Sequence, residues 1–412
     1  MSTTTAAAEV VGKLARGLMN PGKASRQGAR GRSLRLSDIL EASGDEDRGP
    51  VELFEGASRP LLPRLVPGFP RGLPRSLRQL VHIGIDTSTR LLATPYADVV
   101  ISALSISGPG PVELCDYPSL YSPLECGASP PPFIYVIPHG PLELPEEEGV
   151  ALVPAAPQDL SQALISQLAN YARLSLERWA MEAPAQEIAK AFAELGRRPV
   201  VVLDGPIFIS QGKGVGSLMV QRYEALRGLE SLGFPVIGVV KRVERSSLLS
   251  SSPGYLRLLD GCGVDGSSET DSMILQRLAS SCIAEEPGRV YVTPKIMARG
   301  GDGINKVVEY VVMTPSAWQR PGVRSRVYRL EYTEETLRML EDVGVDPLQA
   351  FLADSIARES LEPVSVSMSD RRAKALTSSL RALLAKEVMG LGGRIGYESE
   401  VELRGLLEEG EE

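Results

Sequence analysis

The sequence predicts an α/β protein: a mixed sheet flanked by helices, with additional strands and C-terminal helices. Three observations carry that expectation. Val-, Ile- and Tyr-rich runs at 79–86, 97–107 and 132–138 read as strands. They are followed by "PQDLSQALISQLANYARLSLERWAMEA", where Leu160, Leu164, Leu168, Tyr171, Leu174 and Trp179 recur at helical spacing. "RPVVVLDGP" and "FPVIGVVKRV" are then short continuous apolar runs, the pattern of strands buried on both faces.

The remaining elements follow in order. A short helix is expected from Pro184 to Leu195, and "SLMVQRYEALRGLESLG" is an amphipathic helix stopped by Gly233. Helices are expected near 246–259 and 270–283, strands near 289–296, 306–313 and 324–332, and helices near 333–342, 346–360 and 369–389. "ARGGDGINK" reads as a hairpin turn, and "SQGKGVGS" as a Gly-rich loop without the spacing of a nucleotide-binding fingerprint. The long stretch between the second and third strands holds Cys115, Cys126 and a Pro run, and reads as a loop.

Composition sets further bounds. A chain of 412 residues can bury a substantial core. A net charge of -8 argues against autonomous, tight DNA binding, which needs Lys and Arg to displace counterions. The charge is uneven: Lys13, Arg16, Lys23, Arg26, Arg30, Arg32 and Arg35 face only Glu9 in the first 35 residues. Residues 1–55 therefore read as a basic, flexible arm with a short helix near "LSDILEAS". Residues 56–78 form a Pro/Arg-rich lead-in, 79–390 the folded domain, and 391–412 an acidic tail. No apolar run is long enough to span a membrane and no signal peptide is recognisable, so no membrane partner is expected. Cys115, Cys126, Cys262 and Cys282 lack CxxC pairing, which excludes an ordinary zinc site. They read as free thiols of a cytoplasmic protein.

The chemistry concentrates at strand ends. Asp86 interrupts the apolar run "VHIGIDTSTR", and Asp204 ends "VVVLDGP". A buried charge needs a partner. The order β-β-β-α-β-α-β-α resembles the ribonuclease H-like fold, in which the first and fourth strands lie side by side and would bring Asp86 next to Asp204. Converging carboxylates repel unless a cation sits between them, and all-oxygen sets suit Mg²⁺ or Mn²⁺. The alternative is that each Asp serves a turn.

"IGIDTSTR", "VVLDGPIFI", the helix with Tyr223, "FPVIGVVKRVERSSLL", "TDSMILQRLA" and "SRVYRLEYTEE" occur in an order that resembles the NurA nuclease family across roughly residues 79–390. The resemblance implies a Mn²⁺-dependent (or Mg²⁺-dependent) 5′→3′ exonuclease and single-strand endonuclease acting on DNA, with two ions. It also implies a homodimer and a HerA-like hexameric ATPase partner in DNA end resection. By the same resemblance, Asp86 and Asp204 are metal ligands. Glu177 is the helical acid, with Glu182 and Glu187 as alternatives, and Lys241 contacts the scissile phosphate. Glu177 also admits a surface ion pair with Arg173, and Lys241 a solvated strand end.

This chain departs from the family's pattern. Both Asp-Gly-Ser motifs are altered, to Asp86-Thr87-Ser88 and Asp204-Gly205-Pro206. The late His is replaced by Asp370, which can ligate Mn²⁺ but is not an imidazole; it also admits a helix N-cap role after Ser369. Asp271 is the alternative fourth ligand, with the same capping role open. His82 reads as a packed strand residue. Two other functions remain open: an assembly subunit of a DNA translocase without cleavage, and an actin-like kinase or ATPase whose phosphate loop "IGIDTSTR" resembles.

Overall fold

A computed structural model describes residues 7–19, 32–33, 50–54, 59–60, 62–64, 75–108, 113–119, 126–127, 129–140, 142, 144, 147, 149–153, 161–207, 217–244, 246–266, 269–281, 289–299, 305–314, 326–356 and 362–396. Its elements run α1 (Ala7–Met19), β1 (Arg32–Ser33), β2 (Val51–Leu53), β3 (Leu62–Arg64), α2 (Arg75–Arg78), β4 (Leu80–Ala93), β5 (Ala97–Ser107), β6 (Glu113–Tyr117), β7 (Ile134–Pro138) and β8 (Val150–Leu152). They continue with α3 (Ser161–Glu182), α4 (Pro184–Glu194), β9 (Arg198–Asp204), α5 (Ser217–Ser231), β10 (Val236–Val240), α6 (Pro253–Asp260) and α7 (Asp271–Ser281). The last are β11 (Val290–Val292), β12 (Ile296–Arg299), β13 (Asn305–Met313), β14 (Arg326–Tyr332), α8 (Glu334–Glu341), α9 (Pro347–Ile356) and α10 (Val364–Gly390).

The centre of the sheet has the order β7-β5-β4-β9-β10. β5 is antiparallel to β4 and to β7, whereas β9 is parallel to β4 and β10 parallel to β9. Numbered along the chain, this is the 3-2-1-4-5 arrangement of a ribonuclease H-like core. β14, β13 and β11 extend it antiparallel on one side, and β8 and β1 extend it parallel on the other.

Strand alternation divides the core. Val81, Ile83, Ile85, Val201 and Leu203 pack on one face against α3, α4 and α5, through Leu174, Leu176, Trp179, Ala189, Leu226 and Leu229. Val200, Val202, Ile237 and Val239 point the other way, toward Leu337, Leu340, Phe351 and Val366 of α8, α9 and α10. Each central strand is thus buried on both sides, which is why its sequence is continuously apolar.

Several expectations are corrected. β4 does not end at Asp86. It stays paired with β5 as far as Ala93↔Asp98, and the chain reverses at Thr94, whose hydroxyl donates to Ala97 O at 2.8 Å and accepts from Ala97 N at 3.1 Å. Asp86 is therefore a mid-strand residue rather than a turn cap, and no phosphate-binding loop follows it among the described residues. The arm reading fails for 7–19: Val10, Val11, Leu14 and Leu18 of α1 form one apolar stripe buried with Leu380, Leu384 and Val388 of α10. "LSDILEAS", the loop 208–216, the turn 300–304 and the tail beyond 396 lie outside the described residues.

Helix α10 starts five residues before the expected 369. "VSVSMS" has weak helix propensity, but the side chain of Asp354 on α9 accepts from Ser365 N at 3.0 Å and satisfies the helix start. The thiols are not free. Cys115 and Cys126 form a disulfide with Cα atoms 5.5 Å apart, and Cys262 is disulfide-bonded as well. Sequence spacing alone does not reveal such pairings, because β6 (inside the expected loop) and the fold bring the sulfurs together. The inference from free thiols to a reducing compartment loses its premise. No helix among the described residues is long and apolar enough to cross a membrane.

Candidate metal centre

Register and alternation assemble the site. β4 and β9 pair in parallel up to Ile85↔Leu203, so Asp86 and Asp204 stand side by side one step later. Both belong to the face that packs on α10. On β4 that face also carries His82, whose Nε2 lies 2.8 Å from Ala350 O, and Gly84, which meets α10 directly. A Cβ on Gly84 would overlap the backbone carbonyl of Ser365 and stand 2.9 Å from Ser365 Cβ. Only glycine lets the helix approach this closely. The approach brings Asp370, in the second turn of α10, over Asp86 and Asp204.

Asp86, Asp204 and Asp370 each present a carboxylate oxygen, all within 4.8 Å of one another. Asp86 is buried at 7% exposure. Burial, then the charges of Asp204, Asp370 and Glu177, push its carboxyl up to about 9. Asp204 is also raised, by burial first; the ammonium of Lys241, 2.8 Å from its Oδ2, pulls it back. Lys241 follows Val239 with the strand period, so it emerges on the same face. Burial lowers its pKa, but Asp204 and Glu362, the latter 3.5 Å away, more than compensate. Lys374 sits one helical turn beyond Asp370 and 2.7 Å from its Oδ1.

The donor set is all oxygen, mutually repulsive and partly buried, and it fits a hard divalent cation such as Mn²⁺ or Mg²⁺. A carboxyl raised on folding contributes stability that is complete below its unfolded value of 3.8 and is lost as pH rises toward about 9. The melting temperature of the metal-free protein is therefore expected to fall from about pH 5 to about pH 9 in calorimetry, and Asp86→Asn to flatten that slope. A slope unchanged in Asp86→Asn would remove Asp86 as its origin. Mn²⁺ affinity should rise over the same interval, because the ion displaces the proton.

The other sequence candidates are placed differently. Glu177 approaches from the α3 face, where alternation sends Thr87. The Thr87 hydroxyl donates to Glu177 Oε1 at 3.1 Å, and Arg222 Nε and Nη2 both lie 2.9 Å from Oε2. Glu177 is thus beside the three-Asp group but outside it, and Arg173 stands 3.8 Å away. Of the alternatives, Glu182 is exposed and lies 3.7 Å from Arg178 Nε. Asp271 belongs elsewhere: fully buried at the start of α7, it accepts from Leu248 N at 3.0 Å, from Leu249 N at 2.8 Å and from the Tyr310 hydroxyl. It ties 246–249 to α7 and is no fourth ligand in this arrangement. Asp370 is not an N-cap, because α10 begins at Val364. Sequence reading passed over Arg222, Glu362 and Lys374. Only Lys374 left a sequence signal, its spacing of four from Asp370.

A family model, NurA domain, matches residues 159–375, just over half of the 412. That span contains Glu177, Asp204, Lys241 and Asp370, while Asp86 precedes it. No curated protein matches the chain. Among solved structures it is similar to the crystal structure of the NurA nuclease from Sulfolobus solfataricus, at 10% identity and a TM-score of 0.39, over 75% of this chain and 84% of that one. On the strength of the family match, this chain belongs to the NurA family.

Proposed function

We propose that the chain is a metal-dependent deoxyribonuclease whose centre is built on Asp86, Asp204 and Asp370, with Glu177 completing the carboxylate set. The observation that carries this reading is the convergence of three Asp side chains from two parallel strands and a helix within 4.8 Å. Two Mn²⁺ or Mg²⁺ ions held there would supply an activated water and stabilise the leaving oxygen of a phosphodiester.

The chain's own residues orient and neutralise. Lys241 holds the Asp204 carboxylate and stands where a phosphate oxygen would meet a fixed positive charge. Asp370 occupies the position of the family's His, so no imidazole moves a proton there. His82 is committed to Ala350 O, and His139 to Asp98, 3.1 Å away. We assign the finer role by resemblance: 5′→3′ exonuclease and single-strand endonuclease action in DNA end resection, as a homodimer working with a HerA-like hexameric ATPase.

A second reading, an assembly subunit that does not cut, is favoured by the lysines already paired with Asp204 and Asp370. End-labelled single- and double-stranded DNA incubated with the full chain and Mn²⁺ separates the two. Shortening products that vanish with a chelator support the nuclease. Intact DNA with Mn²⁺ and with Mg²⁺, alone and with the ATPase, refutes it. Intact DNA together with a stimulated ATPase supports the second reading.

A further inference from the structure

Arg222 lies on α5 at 2% exposure, in contact with two separate parts of the site. Its Nε and Nη2 hold Glu177 Oε2, both at 2.9 Å. The same guanidinium donates through Nη2 to Pro206 O at 3.0 Å and through Nη1 to Ile207 O. These carbonyls belong to the turn that follows Asp204, entered through Gly205 at a φ of 134°. From the opposite side, Ile207 N donates to Glu331 Oε2 at 3.1 Å. Both polar backbone groups of Ile207 are thus fixed by buried charged side chains, from α5 and from β14. A guanidinium suits this duty: its planar fork aims several donors at once, and its charge persists when buried.

We propose that Arg222 is a positioning residue of the metal centre, setting Glu177 and the Asp204 turn in one arrangement. The inference rests on the metal-centre reading above and adds a group that offers no ligand atom itself and acts through Glu177 and the Asp204 turn. Removing it leaves Glu177 as a buried charge without its main partner and frees two carbonyls that anchor the turn. Asp204 then loses its fixed approach to Asp86 and Asp370.

The test is Mn²⁺ affinity of the full chain, read as free Mn²⁺ by electron paramagnetic resonance, beside circular dichroism melts. Wild type and Asp86→Asn come first, because a wild-type chain that binds no Mn²⁺ overturns the metal reading and this proposal with it. Given binding, Arg222→Met is expected to weaken Mn²⁺ about 10- to 100-fold, as for other groups behind metal ligands. Arg222→Lys keeps the charge and some donors, and is expected to recover part of that loss. An Arg222→Met protein that is folded and binds Mn²⁺ as wild type does overturns the proposal while leaving the metal centre standing. If Arg222→Met does not fold, Arg222→Lys decides: a folded Lys variant with wild-type affinity overturns the proposal, and a weakened one supports it.

Discussion

Asp86→Asn is expected to abolish Mn²⁺-dependent DNA cleavage, by about 10³-fold or more, and at the same time to make the metal-free protein more stable. The two effects share one cause. Burial on a central strand, and then the charges of Asp204, Asp370 and Glu177, push the Asp86 carboxyl up to about 9. Without a cation this is an unfavourable place for an ionised acid, and a bound cation would relieve it. Asn keeps the shape but cannot ionise, so a bound metal would lose a ligand, while folding no longer has to protonate a buried carboxyl. A gain of about 0.5–2 kcal/mol near pH 8 is expected, the usual scale when a functional site is relaxed. Cleavage assays and thermal melts on one preparation check both halves. A variant that melts lower than wild type without metal would contradict the electrostatic part. A variant that still cleaves would contradict the assignment of Asp86.

Gly84→Ala is expected to cost about 3 kcal/mol or more, at the upper end of the overpacking range, and to weaken Mn²⁺ binding although residue 84 offers no ligand. The added Cβ has nowhere to go: it meets the carbonyl carbon and oxygen of Ser365, and backbone in a helix cannot rotate aside. Relief requires α10 to move off β4, and α10 carries Asp370. Gly390→Ala is the control. It lies in the same helix with no atom within 4 Å of the added Cβ, so Ala should leave the melting temperature unchanged or raise it. Chemical denaturation and Mn²⁺ titration of both variants give the comparison. Equal melting temperatures for the two would mean that α10 yields without strain.

The strands that build the centre were legible because they are buried on both faces. "VVVLD" and "VIGVV" admit no other simple reading, and Asp204 and Lys241 follow at their ends. Alternation then sends Asp86, Asp204 and Lys241 to one side, a relation the sequence contains once the pairing is known. What was illegible depends on contacts distant in the chain. The start of α10 rests on Asp354, eleven residues before Ser365, and outweighs the weak propensity of "VSVSMS". Helix α1 looked like a basic arm because its charges are conspicuous, while its stripe of Val10, Val11, Leu14 and Leu18 only acquires meaning against α10. Asp271 resembled a ligand because an isolated Asp ahead of a helix is ambiguous; its partners Leu248, Leu249 and Tyr310 decide the matter. Arg222 carried no sequence signal, since an Arg within an amphipathic helix ordinarily faces water.

The most direct test of the three-aspartate centre is anomalous diffraction from crystals of the wild-type chain soaked in Mn²⁺. The structure predicts a manganese peak shared by the carboxylates of Asp86, Asp204 and Asp370, at oxygen distances of about 2.0–2.4 Å. Manganese bound elsewhere, or no peak among these three carboxylates at a saturating soak, would contradict it.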